Sequence, residues 1–295
     1  MNQTETVLRP LVAAAILVAG MAVVAAFSTP AAGARYAKKM RILFIGNSFT
    51  HANDLPGMLI AMMATKGIGL ETKQVTPGGC TLKKHWEDGN AIQVINEGNW
   101  DYVIIQEQSQ MPVFQPPVTL KYAALLAGAA AKTGAKPVFY LTWAYRDKPE
   151  MQAGLTKTYM RAGKDANCLV APAGVAWEGV RKKYPRIPLH AKDGKHPSVQ
   201  GSYLTACVMY ATILRRDPMG LPGRLRIDKQ VRPNVIMRRQ PCSLTTVQVR
   251  PLQQVAWKVV EELRSYKPVR EAAAEETKDA KEGEEKGETN KAKGQ

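Results

Sequence analysis

The chain has 295 residues, a 45% apolar share and a formal net charge of +16, which together describe a globular protein large enough to bury a full core. Its Lys and Arg residues are scattered and not interleaved with aromatic residues, so the charge does not indicate a nucleic-acid-binding protein. Attraction to anionic glycans, cell wall or lipid headgroups is the simpler interpretation.

The first 34 residues differ in character from the rest of the chain. An unbroken run of apolar residues and glycine, "LVAAAILVAGMAVVAAF", follows Arg9 and precedes small residues around Ala34. A positive start, an apolar stretch and small residues are typical of an export signal. We therefore predict that 1–34 is a signal peptide cleaved after about Ala34, or, if uncleaved, an N-terminal membrane anchor. The protein is expected to be exported and to lie in the periplasm or outside the cell, with anchoring to the inner membrane as the alternative.

Strand-like and helix-like segments alternate through residues 38–268, which we predict to form one domain. This alternation indicates right-handed βαβ crossovers and a single parallel sheet covered by helices on both faces. The predicted strands are Met40–Ile45, Leu70–Val75, Tyr102–Ile105, Pro137–Thr142 and Leu169–Ala171. The predicted helices are Asp54–Lys66, Leu82–Glu97 with a break at Asp88–Gly89, Leu120–Thr133, Glu150–Gly163, Val175–Lys183, Val199–Leu214 and Val247–Tyr266.

Two segments near the C-terminus fit no regular element. Residues 216–251 are basic and contain several prolines, and no helix or strand pattern covers them. Residues 269–295 are dense in Glu and Lys and lack aromatic residues, so we predict a disordered charged tail. The four cysteines have neither a CxxC pair nor a zinc-ligand spacing, and a disulfide and buried free thiols both fit them. They are Cys80, Cys168, Cys207 and Cys242.

The first strand stops abruptly at Gly46-Asn47-Ser48. One interpretation is a strand-to-helix turn in which Asn47 or Ser48 caps the helix. The other is a nucleophile, because sites in parallel sheets form beyond the carboxyl ends of the strands. A serine nucleophile also needs a base and a carboxylate that orients the base.

The segment "DGKHPSVQGSYLTA" supplies a candidate base and carboxylate. Asp193 stands three residues before His196, and a helix is predicted just after them. On one turn, the carboxylate can hold the Nδ1 proton of the imidazole while Nε2 points toward a serine. A surface loop with Ser198 as helix N-cap is the alternative.

Two further segments at strand ends could stabilise a developing oxyanion. In "VTPGGCTL", a glycine after a strand allows a backbone N–H to approach a ligand closely, although a tight turn has the same composition. In "YVIIQEQSQ", side-chain amides follow a buried strand and could also donate to an oxyanion. Trp143 and Tyr145, after the fourth strand, could line a substrate pocket or simply pack at a strand end.

The order of these segments resembles the SGNH/GDSL hydrolase family, over about residues 41–214. "GNSFTHANDLP", "GGCTL" and "DGKHPS" are most similar to exported bacterial members. The resemblance implies a flavodoxin-like three-layer α/β/α sandwich with a central parallel sheet of about five strands, the SGNH hydrolase fold. It also implies that Ser48 is the nucleophile, that His196 is the general base and acid, and that Asp193 orients His196.

The resemblance further implies an oxyanion hole lined by the backbone N–H groups of Ser48 and Gly79. Family members often carry G-D-S in the first block, where this chain has Gly46-Asn47-Ser48. Their third block carries G-x-N-D, whose asparagine donates to the oxyanion, and this chain has "QEQSQ" instead. Gln106 is the expected substitute, followed by Gln108 and then Gln110.

The predicted activity is that of an exported serine esterase, which hydrolyses carboxylic esters through an acyl-serine intermediate and deacetylates O-acetylated carbohydrate. A short-chain ester or lipid esterase is one alternative, and a catalytically idle envelope glycan-binding protein on the same fold is another. The expected partner is an ester substrate, namely an acetylated or anionic polysaccharide. Contact with a membrane is expected only through residues 1–34, if they are uncleaved. No cofactor and no metal is expected.

Overall fold

The computed structural model describes residues 39–232 and 235–265, and for 227–232, 235–241 and Ser265 it describes the backbone only. The segments 1–34 and 269–295 lie outside the described residues, so the export signal or anchor and the disordered tail stay predictions. Among the helices that the structure does describe, none combines the length and the hydropathy needed to cross a membrane.

A five-stranded sheet forms the centre of the fold, and all of its strands run parallel in the order β2-β1-β3-β4-β5. Strand β1, which lies between β2 and β3, is buried on both faces, as an unbroken apolar run predicts. Ile42 and Phe44 face one core and Leu43 and Ile45 face the other. The strands are β1 (Met40–Ile45), β2 (Leu70–Val75), β3 (Tyr102–Ile105), β4 (Lys136–Tyr140) and β5 (Leu169–Ala171).

Helices cover both faces of this sheet and complete three layers. Helices α2, α8, α9 and α10 bury their apolar residues against one face, α3, α4 and α6 against the other, and α7 contributes to both cores. This arrangement confirms the predicted flavodoxin-like α/β/α sandwich. The helices are α1 (Ser48–His51), α2 (Leu55–Ala64), α3 (Leu82–Glu87), α4 (Asn90–Asn96), α5 (Met111–Phe114), α6 (Pro116–Lys132), α7 (Met151–Asp165), α8 (Ala173–Lys183), α9 (Val199–Leu214) and α10 (Thr246–Ser265).

The structure departs from the sequence-based elements mainly between α9 and α10. There, β6 (Arg224–Arg232) and β7 (Val235–Ser243) form an antiparallel hairpin separate from the main sheet. Leu225 and Cys242 anchor the hairpin in the core shared with α2 and α9. All four cysteines are free thiols, so the disulfide alternative is wrong for this structure.

The strand order places a crevice between β1 and β3. Chain order runs from β1 outward to β2 and then crosses back over β1 to β3, so the direction of winding reverses between these two neighbours. Loops that leave such a switch point at the carboxyl ends of the strands diverge and leave room for a ligand. The residues that follow β1 and β3 therefore meet at this crevice.

Candidate active site

Ser48 stands at the start of α1, directly after the turn that ends β1. Asn47 is the N-cap of α1, with φ −148° and ψ −151°, and its Oδ1 accepts a hydrogen bond of 3.2 Å from the N–H of Phe49. Ser48 is the first helical residue and is partly exposed. Asn47 therefore performs the capping, and the hydroxyl of Ser48 is left for another partner.

Gly46 allows this turn to approach the end of β3. A Cβ atom at Gly46 would lie 2.5 Å from Oε1 of Gln106 and 2.6 Å from Oγ1 of Thr50, closer than real Cβ contacts. Any side chain here would push the turn away from β3 or displace Gln106. The glycine is therefore required by packing at the crevice.

Asp193, His196 and Ser48 form a continuous line of hydrogen bonds. Nε2 of His196 lies 2.9 Å from Oγ of Ser48, and Nδ1 of His196 lies 2.5 Å from Oδ2 of Asp193. Oδ1 of Asp193 also accepts the backbone N–H groups of Lys195 and His196, at 2.9 and 3.0 Å. The intervening Gly194 has φ +72°, a conformation that glycine adopts without strain. The structure thus brings together the three residues that were predicted from the sequence as nucleophile, base and orienting carboxylate.

Hydrogen bonds hold Asp193 in its ionised form. The His196 side chain is the largest cause, followed by the N–H of Lys195, and together with the N–H of His196 they lower the pKa of Asp193 to about 2. A carboxylate in this position fixes the imidazole tautomer with the proton on Nδ1. Nε2 of His196 is then the lone-pair nitrogen that faces Ser48.

Two other segments hold the loop that carries Asp193 and His196, the loop after β4 and the turn at Asn53. The indole Nε1 of Trp143 donates to the carbonyl of Lys195 at 3.0 Å, and the N–H of Arg146 donates to the carbonyl of Gly194 at 2.8 Å. Nδ2 of Asn53 donates to the carbonyl of Pro197 and to Oγ of Ser202, both at 2.9 Å. Sequence reasoning missed Asn53, and its left-handed backbone, with φ +53°, could not be read from the residue type alone.

A column of stacked rings lies behind this loop. Phe49 meets the ring of His196 edge-on at 5.5 Å and stacks on Trp143 at 4.7 Å, and Trp143 stacks on Trp177 at 3.8 Å. Trp143 and Tyr145 are both buried, and the Tyr145 hydroxyl is hydrogen-bonded to Ser109 at 2.8 Å. Both residues therefore pack at the strand end, the simpler of the two interpretations.

The two predicted backbone donors are both unpaired within the part of the chain that the structure describes. Neither the N–H of Ser48 nor that of Gly79 has an acceptor there. Gly79 has φ +67°, which glycine tolerates. Nδ2 of Asn47 donates to the carbonyl of Cys80 at 3.0 Å and so ties the Gly79 loop to the Ser48 turn. Family members often have aspartate at the position of Asn47. The asparagine side chain can accept and donate hydrogen bonds at the same time, whereas an ionised aspartate only accepts.

Gln106 cannot supply the third donor, and that prediction is wrong. Its side chain is fully buried, and both hydrogens of Nε2 are used, one by Oδ1 of Asn47 at 3.0 Å and one by the carbonyl of Glu107. Its Oε1 accepts the N–H of Asn47 and the hydroxyl of Thr50. Gln106 is therefore a support that joins the end of β3 to the Ser48 turn.

Gln108, the second choice, keeps its amide hydrogens. Its Oε1 accepts the N–H groups of Gln110 and Met111, at 2.8 and 3.3 Å, which fixes the side chain against its own loop. Its Nε2 donates to no acceptor among the residues that the structure describes. Gln108 remains the glutamine that could donate to an oxyanion.

Two buried titratable groups, Glu107 and His85, lie near the crevice. Glu107 is fully buried and accepts the N–H groups of Leu82 and Gln108 at 2.9 and 2.7 Å, and burial raises the pKa of this carboxyl. Nε2 of His85 lies 2.7 Å from the carbonyl of Gly46, and burial lowers the pKa of His85. The two side chains connect the segment that follows Gly79 to the carboxyl ends of β3 and β1. Their hydrogen-bond partners are far apart in sequence, so the sequence alone does not reveal this role.

Comparison with known proteins assigns the family. No protein-family model matches the chain, and no curated protein does. A solved structure from Slackia heliotrinireducens, described as an SGNH hydrolase, shares 31% identity with a TM-score of 0.54, covering 60% of this chain and 100% of that one. The chain belongs to the SGNH hydrolase family, as its motifs predict.

Two more distant structures share the fold. A DUF4886 family protein from Bacteroides uniformis is 16% identical with a TM-score of 0.59, covering 79% of this chain and 99% of that one. The acetyl xylan esterase AlAXEase is 18% identical with a TM-score of 0.50, covering 59% of this chain and 100% of that one.

Proposed function

We propose that this chain is an exported serine esterase that hydrolyses carboxylic esters through an acyl-serine intermediate and deacetylates O-acetylated carbohydrate. The observation that carries the proposal is the hydrogen-bonded line from Asp193 through His196 to Ser48, at 2.5 and 2.9 Å. Membership of the SGNH hydrolase family supports ester hydrolysis. Acetylated carbohydrate is supported by the basic composition and by the fold shared with an acetyl xylan esterase, and export by the composition of residues 1–34.

In the first half-reaction, Oγ of Ser48 attacks the ester carbonyl carbon while Nε2 of His196 takes the hydroxyl proton. The carbonyl electron pair moves onto oxygen, and this oxyanion accepts hydrogen bonds from the N–H groups of Ser48 and Gly79 and from the amide of Gln108. Asp193 stabilises the imidazolium through Nδ1–H. When the intermediate collapses, the bond to the alcohol oxygen breaks and His196 gives that oxygen its proton.

The second half-reaction repeats these steps with water. His196, neutral again, takes a proton from a water molecule as its oxygen attacks the acyl carbon on Ser48. The oxyanion forms against the same donors and then expels Oγ of Ser48, which recovers its proton from His196. Acid leaves, and the enzyme returns to its starting protonation state.

The proposal is tested by hydrolysis of p-nitrophenyl acetate and acetylated xylan by the full chain beside Ser48→Ala. We expect kcat to fall by roughly 10³-fold or more in the variant, because loss of the nucleophile removes the acylation step. Ser243→Ala, at an exposed serine of β7, is the matched control and should keep full activity. Equal rates for Ser48→Ala and the parent chain would overturn the assignment.

The same experiment separates the alternatives. Rates that rise with acyl chain length, without acetate release from xylan, would favour the short-chain ester or lipid esterase. A chain that hydrolyses nothing and does not react with a serine-directed phosphonate would favour the idle glycan-binding protein.

A further inference from the structure

Two segments from different parts of the chain carry the candidate oxyanion donors beside Ser48. The first arm, residues 79–82, follows β2 and includes the unpaired N–H of Gly79. The second arm, residues 108–111, follows β3 and includes the side-chain amide of Gln108. Donors stabilise an oxyanion when they lie about 2.7–3.1 Å from it, so the spacing between the two arms has to be fixed.

Glu107 accepts hydrogen bonds from both arms through one oxygen atom. Its Oε1 accepts the N–H of Leu82, at the end of the first arm, at 2.9 Å and the N–H of Gln108, at the start of the second arm, at 2.7 Å. The arms cannot move apart without the loss of one of these hydrogen bonds. Because Glu107 is fully buried, an N–H group that lost this acceptor would be left without a partner.

The backbone of Glu107 is itself held in place, which gives the carboxylate a defined position. Its N–H donates to the hydroxyl of Tyr159 in α7 at 3.0 Å, and its carbonyl accepts from Nε2 of Gln106. On the far side of the carboxylate, the hydroxyl of Thr119 in α6 lies 3.4 Å from Oε2. Glu107 therefore connects both arms to the body of the fold.

The hydrogen bonds of the Glu107 side chain suit an ionised carboxylate. Leu82, Gln108 and Thr119 all donate to it, and no acceptor for a carboxyl O–H is present among the described residues. Burial raises the pKa of this carboxyl, and the three donors oppose that effect. The group at the junction of the arms is thus an acceptor in each of its side-chain hydrogen bonds.

We propose that Glu107 is a positioning residue of the ester hydrolysis, which sets the spacing between the N–H of Gly79 and the amide of Gln108 around the oxyanion. The inference rests on the proposed function, and it adds a residue that acts on the reaction only through the two arms. Glu107 does not take part in bond making or proton transfer.

The test compares Glu107→Met with Glu107→Gln in the full chain, with p-nitrophenyl acetate as substrate. Methionine cannot replace the carboxylate acceptor, so we expect kcat to fall about 10- to 100-fold while KM changes less than about twofold, because oxyanion donors act in the transition state. The amide oxygen of glutamine can keep both hydrogen bonds, so Glu107→Gln should retain kcat within about threefold. Phenylboronic acid, which forms a tetrahedral adduct with a serine hydroxyl, should bind Glu107→Met more weakly by the same factor as the fall in kcat.

Gln253→Met is the matched control for the loss of a buried polar side chain. Gln253 is 2% exposed, accepts from the N–H of Gly220 and donates to the hydroxyl of Tyr203 and the carbonyl of Leu221, all outside the two arms. Its urea midpoint should fall as that of Glu107→Met does, while kcat and boronate affinity stay unchanged. If Glu107→Met does not fold, Glu107→Asp takes its place, because its shorter side chain cannot reach both N–H groups.

Hydrogen exchange gives a readout that does not depend on catalysis. Peptides that contain Leu82 and Gln108 should exchange faster in Glu107→Met than in the parent chain, whereas peptides from β4 should not. Unchanged exchange in either arm, full activity of Glu107→Met, or an equal fall of kcat in Glu107→Gln or Gln253→Met would overturn the positioning role. A parent chain that hydrolyses no ester, but whose Glu107→Met variant exchanges faster in both arms, would count against the proposed esterase and not against the link that Glu107 makes.

Discussion

Asp193 combines two tasks in a four-residue turn, because one carboxylate oxygen holds backbone N–H groups and the other holds the imidazole of His196. Its pKa is about 2 in the folded chain against an ordinary 3.8. Since the folded value is the lower one, the stability that Asp193 contributes is complete above about pH 4 and is lost as the pH falls toward 2.

We therefore expect the difference in unfolding free energy between the parent chain and Asp193→Asn to shrink between pH 4 and pH 2. Urea unfolding at pH 6, 4, 3 and 2 measures this difference. At pH 7 the same substitution should lower kcat by roughly 10²- to 10⁴-fold, because the imidazole loses its orienting carboxylate. A difference in unfolding free energy that stays constant down to pH 2 would show that ionised Asp193 does not stabilise the fold.

Asn47 joins three segments of the site through one amide. It is 2% exposed, its Oδ1 accepts from Phe49 and Gln106, and its Nδ2 donates to Cys80. In Asn47→Asp, a buried carboxylate oxygen would face the carbonyl of Cys80. We expect a loss of about 1–3 kcal/mol of unfolding free energy and a lower kcat, because the Gly79 loop loses its tie to Ser48.

The control for this prediction is Asn90→Asp. It makes the same chemical change at an exposed residue in the first turn of α4, where a negative charge is tolerated or slightly favourable. Chemical denaturation and p-nitrophenyl acetate hydrolysis should both distinguish the pair. Equal behaviour of the two variants would show that the amide of Asn47 is dispensable.

At the level of elements, the loop after β4 decides where the loop of His196 lies. Trp143 provides one hydrogen bond to that loop, from Nε1 to the carbonyl of Lys195. Trp143→Phe keeps an aromatic ring between Phe49 and Trp177 but removes this donor. We expect kcat/KM for p-nitrophenyl acetate to fall about tenfold, because His196 is then held less firmly against Ser48.

Trp100 offers a matched comparison. Its Nε1 donates to the carbonyl of Val94 at 3.0 Å, and it is similarly buried. It precedes β3 at the amino-terminal end of the strands, whereas His196 lies with Ser48 at the carboxyl ends. Trp100→Phe should cost a similar unfolding free energy, about 1–3 kcal/mol, with kcat/KM unchanged. If both variants keep full activity, the hydrogen bond from the Trp143 indole to Lys195 does not position the loop that carries His196.

At the level of the whole molecule, the sequence predicted those features that depend on local pattern. The unbroken apolar run of β1 indicated a doubly buried strand, and the spacing of Asp193 and His196 indicated one turn, because both depend only on residues near in sequence. The third oxyanion donor could not be predicted in this way. Gln106 and Gln108 are of one type and two residues apart, and only the partners across the crevice decide which amide is free.

The hairpin of β6 and β7 escaped prediction for a related reason. Its strands are rich in charged residues, and the hairpin lies outside the main sheet. Leu225 and Cys242, which pair with each other at one end of the hairpin, are buried in a core made by residues far away in sequence. Asn53 was missed because its contact, to the carbonyl of Pro197, spans most of the domain. Long-range pairing is what a single sequence leaves undetermined.

The free thiols have a consequence for how the protein can be made. Cys80, Cys207 and Cys242 are buried, and burial raises the pKa of each, so little reactive thiolate is available to an oxidant. The native state contains no covalent cross-link between its thiols, and its folding therefore requires neither an oxidising compartment nor a disulfide isomerase. The chain should reach the same native state in a reducing cytosol as in an oxidising periplasm.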